Sequence, residues 1–206
     1  RAEQDDFLVV EDDYEFEIPF GTPPVPSLKA IDAGGVVVHV GSFSKSLFPG
    51  LRLGYLVAAE EFVREARALR GLLLRHPPGH IQRTAANFLS LGYYDAQVNR
   101  MARAYRRRRA EMEASLVGHG LLGPSEAPHG GSSFWLRAPE GIDTTKAAED
   151  LLADGVVIEP GRVFFAPEDE VHAHYRISYS SIQSSQIREG IRLIARRMQR
   201  TGHNPA

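Results

Sequence analysis

Two near-continuous apolar runs, Phe7-Leu8-Val9-Val10 and Val36-Val37-Val38-His39-Val40, constrain the fold more than any other feature of the chain. Each is bounded by turn-forming residues and lacks the apolar/polar alternation of a half-solvated strand. Both therefore read as strands buried on two faces of a parallel sheet. Leu53-Gly54-Tyr55-Leu56-Val57 reads as a third. Between the first two, Pro19-Phe20-Gly21-Thr22-Pro23-Pro24-Val25-Pro26 can be neither helix nor central strand. Helical periodicity follows. Glu60 and Glu61 open a helix with Phe62, Ala66, Leu69 and Leu73 on one face, and His76-Pro77-Pro78-Gly79 stops it. Further helices are expected over 81–91 and over 95–117, the second carrying Val98, Met101, Tyr105, Met112 and Leu116 on one side.

The second half changes character. Ser133-Phe134-Trp135-Leu136, Val156-Val157-Ile158 and Tyr175-Arg176-Ile177-Ser178-Tyr179 read as strands. Helices are expected near 144–154 and 185–199, the last with Ile187, Ile191, Ile194 and Met198 on one face. The pattern predicts an α/β fold: a mostly parallel sheet with flanking helices over 1–105, then a small C-terminal α+β domain over 106–206.

Composition narrows the function classes. The chain has 206 residues, 43% hydrophobic and 24% charged, which excludes disordered and fibrous identities. No apolar run is long enough to span a bilayer, and no secretion signal follows Arg1, so a cytoplasmic location is expected. A net charge of −2 is too balanced for a surface dedicated to nucleic acid. The absence of cysteine rules out disulfides, thiolate nucleophiles and zinc knuckles. Of the 24 basic residues only Lys29, Lys45 and Lys146 are lysine, so any lysine chemistry has three candidates.

Several signals have plain readings. Gly118-His-Gly120-Leu-Leu-Gly123 matches a dinucleotide fingerprint but follows a helix and runs into Pro124, so it reads as a helix end and loop. Arg106–Arg109 reads as a solvated helix face. His172 and His174 share a strand face but lack a nearby third metal ligand, and His76 and His80 flank a turn.

Two segments carry more. Glu11-Asp12-Asp13 ends a buried strand, the place where open α/β sheets bind ligands. A magnesium-binding receiver domain would also put acids there, but no further aspartate ends a middle strand before Lys45. The segment from Gly41 to Tyr55 starts where the second buried strand ends. Ser42, Ser44 and Ser46 flank Lys45, a Pro-Gly turn follows, and Arg52 stands before the next strand. Hydroxyls, loop amides and a guanidinium together suit a phosphate. A lysine just off a buried strand is expected to be partly desolvated and so nearer nucleophilic use.

The run Ser-x-Ser-Lys-Ser-x-x-Pro-Gly-x-Arg-x-Gly-Tyr resembles the Schiff-base loop of fold-type I pyridoxal-phosphate (PLP) aminotransferases. The resemblance implies PLP as cofactor, an internal aldimine on Lys45, and phosphate contacts from Ser42, Ser44 and Arg52. Val-Val-Glu-Asp-Asp-Tyr-Glu-Phe-Glu looks like the family's cofactor-ring strand, with Asp12 at the pyridine nitrogen and Tyr14 at the ring hydroxyl. Residues i and i+2 of a strand point the same way, which agrees. A charge-assisted bond from Asp12 to the ring is worth roughly 1.5–3 kcal/mol. Tyr-Arg-Ile-Ser-Tyr-Ser-Ser resembles the strand presenting the substrate-carboxylate arginine, here Arg176, whose plain reading is an edge-strand salt bridge. Ile158-Glu159-Pro160-Gly161 with Phe164 looks like the small-domain loop near the substrate.

Within the family, the Asp-Asp-Tyr spacing and the Arg-Met-x-x-x-Tyr-x-x-Arg-Arg pattern from Arg100 to Arg109 look most like MocR-type (GntR family) transcriptional regulators. In those, an aminotransferase-like domain behind a winged helix senses an amino compound. The resemblance implies an effector-sensing domain that binds an amino acid or amine as an external aldimine, with a catalytic aminotransferase as the alternative. It also implies a homodimer, no membrane partner, DNA contact only through a domain outside this chain, and a chain that is the C-terminal portion of a longer protein.

Overall fold

The computed structural model describes residues 1–13, 26–123, 131–166 and 173–199. By contact density the chain divides into two compact units, Arg1–Ala102 and Arg103–Ala206.

In the first unit, β1 (Val9–Asp13), β2 (Val37–Ser42) and β3 (Gly54–Val57) form a sheet in the order β1-β2-β3. β1 lies parallel to β2, with Asp12 opposite Val40 and Asp13 opposite Gly41. β3 is antiparallel to β2, with Ser42 opposite Gly54, which corrects the expectation of a third parallel strand. The reason is length. Residues 43–53 hold only the short helix α1 (Phe43–Ser46) and a 3₁₀ turn at Pro49–Leu51, less than the roughly dozen residues of a parallel crossover. β3 is also more exposed than a doubly covered strand, with Leu56 and Val57 open to solvent.

Helices α2 (Glu60–Leu73) and α3 (Gly79–Ser90) follow, and α4 (Tyr93–Gly118) runs from the first unit into the second. The predicted apolar face of α2 forms but is not buried along its length: Leu69 is 58% and Leu73 71% exposed. The four consecutive arginines cannot all face water on a helix packed along one side, because successive residues turn by about 100°. Arg106 and Arg107 are exposed, whereas Arg108 donates to the Ser180 carbonyl and Arg109 lies 5.3 Å from the centre of the Phe134 ring. The uniformly solvated face expected of this run is corrected to a half-solvated one.

The second unit has a closed core. Strands β4 (Ser133–Arg137), β5 (Glu159–Pro160) and β6 (His174–Ser178) form an antiparallel sheet in the order β4-β6-β5, with α5 (Thr144–Ala153) and α6 (Ser184–Gln199). Phe134, Tyr175, Tyr179, Leu116 and Ile187 are fully buried, and Ile191, Ile194 and Met198 of α6 nearly so. The strand expected at Val156–Ile158 is confined to Glu159–Pro160. Gly155, at φ +77°, ends α5 in a Schellman turn, where the Val156 amide donates to Leu151 and the Gly155 amide to Leu152. The Val156 amide thus caps the helix and is not free for a strand ladder.

Before β2, Asp32 accepts hydrogen bonds from the Val36 and Val37 amides and pairs with Lys29 at 2.8 Å, with its side chain 1% exposed. The Lys29 ammonium, then those amides, hold its carboxyl down to about 2 from an ordinary 3.8. A depressed carboxylate stabilises fully above its unfolded value and loses that contribution as pH falls through its folded value. Asp32→Asn should therefore lower the urea midpoint at neutral pH, and the gap from wild type should shrink as pH falls from about 4 to about 2.

Candidate functional site

The predicted site residues of the first unit gather at the carboxyl end of the paired β1 and β2. Asp12 shares a sheet face with its register partner Val40 and hence with Ser42, two residues on along β2. Ser42 then caps α1, its hydroxyl accepting from the Ser44 amide at 3.2 Å. Ser44, Lys45 and Arg52 lie on the loop that leaves β2 and returns as β3. This loop is closed at its base by the Ser42–Gly54 register pair and by the Phe43 amide donating to the Leu53 carbonyl at 3.0 Å. The chain thus brings two hydroxyls, an amine and a guanidinium onto one closed loop beside a carboxylate. Tyr14 lies outside the described residues.

Local packing shows why the loop takes this shape. A Cβ on Gly41 would fall 2.1 Å from Tyr55 Cζ, and one on Gly54 would fall 2.7 Å from the Gly41 carbonyl oxygen. These two glycines let β2 and β3 approach under the Tyr55 ring, which packs on Phe43 at 5.4 Å between centroids. Ser46 is fully buried and accepts a hydrogen bond from the Tyr94 hydroxyl at 3.0 Å, tying the loop to the start of α4. Lys45, on the short helix α1, is exposed, which corrects the partial burial that its sequence position suggests. Arg52 has left-handed backbone, φ +49° and ψ +41°. A side chain held there costs about 1–3 kcal/mol and persists where the surroundings impose it.

The opposite face of β1 and β2 gathers Glu11 and Asp13 of the acidic strand end with His39, a grouping the sequence did not predict. Glu11 accepts from the Leu28 amide at 2.6 Å and the Lys29 amide at 3.1 Å, and its Oε2 lies 2.9 Å from His39 Nδ1. Burial alone would raise the Glu11 pKa, but His39 and the two amides outweigh it and hold the carboxylate below its ordinary range. Burial, reinforced by Glu11 and Asp12 and opposed by His39, pushes the Asp13 carboxyl up. Ligand atoms of Glu11, Asp13 and His39 lie within 4.8 Å of one another, the only such set of three among the described residues. Glu11 is already engaged by three donors, so the group is a clamp between β1, β2 and the Lys29 turn. The signal for it was His39 inside an otherwise apolar run.

In the second unit, Arg176 sits on β6, the middle strand, not on an edge as its plain reading supposes. Its register partners are Trp135 on β4 and Glu159 on β5. Arg176 Nε donates to Glu159 Oε2, and the guanidinium carbon lies 4.9 Å from the centre of the Phe164 ring. His172 lies outside the described residues, and His174 stacks on Trp135 at 5.4 Å.

Residues 9–194 match the family described as aminotransferase class I and II. The chain belongs to that family. It is 60% identical over 195 residues to the HTH-type transcriptional regulator TauR of Rhodobacter capsulatus, covering 95% of this chain and 40% of that protein. It is 34% identical over 195 residues to aromatic-amino-acid aminotransferase 1 of Thermococcus litoralis, covering 94% and 46%. The crystal structure of Pyrococcus horikoshii kynurenine aminotransferase, solved in complex with PMP, superposes with a TM-score of 0.87 at 28% identity, over 98% of this chain and 50% of that one. The chain thus spans about half the length of these aminotransferase-family relatives. Family membership gives the fold, and no helix among the described residues is long and apolar enough to cross a membrane.

Arg52→Gly separates strain from function at this loop. Glycine adopts left-handed backbone at little cost. The variant should unfold at the same or a higher denaturant concentration, a gain of up to about 1 kcal/mol, while its affinity for inorganic phosphate or a phosphorylated ligand falls.

Proposed function

We propose that this chain is the PLP-binding, effector-sensing part of a MocR-type transcriptional regulator. The observation that carries the reading is the closed loop bearing Ser42, Ser44, Lys45 and Arg52 at the strand end where Asp12 shares the Ser42 face. The donor set fits the cofactor: an exposed amine for its aldehyde, hydroxyls and a guanidinium for its phosphate, a carboxylate for its ring nitrogen. When bound, PLP supplies an aldehyde that captures primary amines and a ring that withdraws electrons from them.

In this reading the Lys45 amine is the group that would hold the cofactor through its aldehyde. Ser42 and Ser44 donate hydroxyl hydrogens to the phosphate, and Arg52 offers its planar fork to the same group. Asp12 keeps a proton on the ring nitrogen by charge-assisted hydrogen bonding. Tyr14 takes the ring-hydroxyl role that its motif implies. Arg176 pairs with the carboxylate of an amino-acid effector. Contact with DNA belongs to a part of the protein outside this chain. The protein works as a homodimer, and the exposed leucines of α2 support association.

Identity of 60% to a regulator against 34% to an aminotransferase favours sensing over turnover. The family fold and the intact lysine keep amino-group transfer between an amino acid and a 2-oxo acid as the second reading. A coding sequence upstream that specifies a winged helix supports sensing; multiple turnovers with an added 2-oxo acid support catalysis.

Borohydride reduction of the protein supplied with PLP should place a phosphopyridoxyl mass on the peptide containing Lys45. Labelling confined to Lys29 or Lys146, or none, overturns the reading. Arg176→Ala should weaken amino-acid binding by about tenfold to a hundredfold while changing PLP affinity less than about twofold. Equal weakening of both would remove Arg176 from the carboxylate site.

A further inference from the structure

The sheet of the second unit presents Arg176 on an open face whose neighbours are unusually specific. Glu159 and Trp135 are its direct cross-strand partners, so all three project from one side of the sheet. Phe164 lies against the guanidinium at 4.9 Å and edge-on to Trp135 at 5.4 Å between centroids. Glu159 Oε2 accepts from Arg176 Nε. The Arg176 and Glu159 side chains are 38% and 48% exposed.

An ion pair this open adds little to folding stability. The guanidinium carbon also lies over the Phe164 ring, so Glu159 is not the only group that holds it. Its carboxylate occupies one edge of the fork and neutralises the charge that a ligand carboxylate would seek. We propose that Glu159 is an internal competitor for Arg176: a carboxylate-bearing effector binds only by taking guanidinium contacts from it, which sets the effector concentration at which the site fills. This rests on the assignment of Arg176 to the effector carboxylate.

The chemical class concerned is any amine bearing a single carboxylate. An amine without a carboxylate does not meet the competition. L-alanine and ethylamine, which differ by that group, are therefore the probes. Isothermal titration calorimetry of the PLP-supplied full chain would compare wild type, Glu159→Gln and Arg176→Ala. Glutamine keeps the shape of Glu159 and removes its charge. Glu159→Gln should tighten L-alanine binding by about tenfold and change ethylamine binding by less than about twofold, with the thermal midpoint unchanged.

Unchanged or weaker L-alanine binding in Glu159→Gln, or an equal gain for both amines, overturns the proposal; weaker binding would make Glu159 a positioning residue. Binding of L-alanine that appears only in the variant supports it, and binding in neither protein overturns it. If ethylamine binds to none of the proteins, the L-alanine change alone decides. If Arg176→Ala weakens L-alanine while Glu159→Gln changes nothing, this inference fails and the carboxylate role of Arg176 stands. If Arg176→Ala leaves L-alanine unchanged, that role fails and the inference with it.

Discussion

The antiparallel return of β3 onto β2 is the constraint on which the first unit depends. It closes residues 43–53 into a loop whose base is held by the Ser42–Gly54 pair and the Phe43–Leu53 hydrogen bond. Without it, Ser42, Ser44, Lys45 and Arg52 would be points on an open segment. The close approach needs glycine at both 41 and 54, because the Tyr55 ring and the Gly41 carbonyl fill the space of a side chain. The pairing also carries Arg52 into left-handed backbone just before β3.

A division of labour runs across β1 and β2. One face carries Asp12 and Ser42; the other carries Glu11, Asp13 and His39, and there Glu11 ties His39 of β2 to the turn at Leu28 and Lys29. Alternation along a strand makes this possible, since three consecutive acids cannot share a face. Asp12 is thus presented by a strand anchored from behind.

Much of this was legible in the residues. Periodicity gave the helices, and α6 buries the isoleucines its spacing assigned. Motif spacing gave the lysine loop and the acidic strand end. The direction of β3 was not read, because apolar content does not encode strand direction; the brevity of the 43–53 connection did. The strand at Val156–Ile158 failed because β-branched content outweighed Gly155, whose capping geometry takes the Val156 amide. The partners of Arg176 were hidden because register across β4, β6 and β5 joins residues far apart in sequence. The inward turn of Arg108 and Arg109 was hidden for a simpler reason: a run of one residue type says nothing about which members meet a packed surface.

The Lys29–Asp32 pair has a chemical consequence beyond stability. Aldehydes add to any open primary amine, so a reactive aldehyde ligand is diverted wherever lysines are plentiful. Here arginine carries 21 of the 24 basic charges and forms no such adduct at neutral pH. Of the three lysine amines, that of Lys29 is ion-paired and four-fifths covered. Within this chain positive charge is thus carried with very few amines that an aldehyde of the kind proposed would modify.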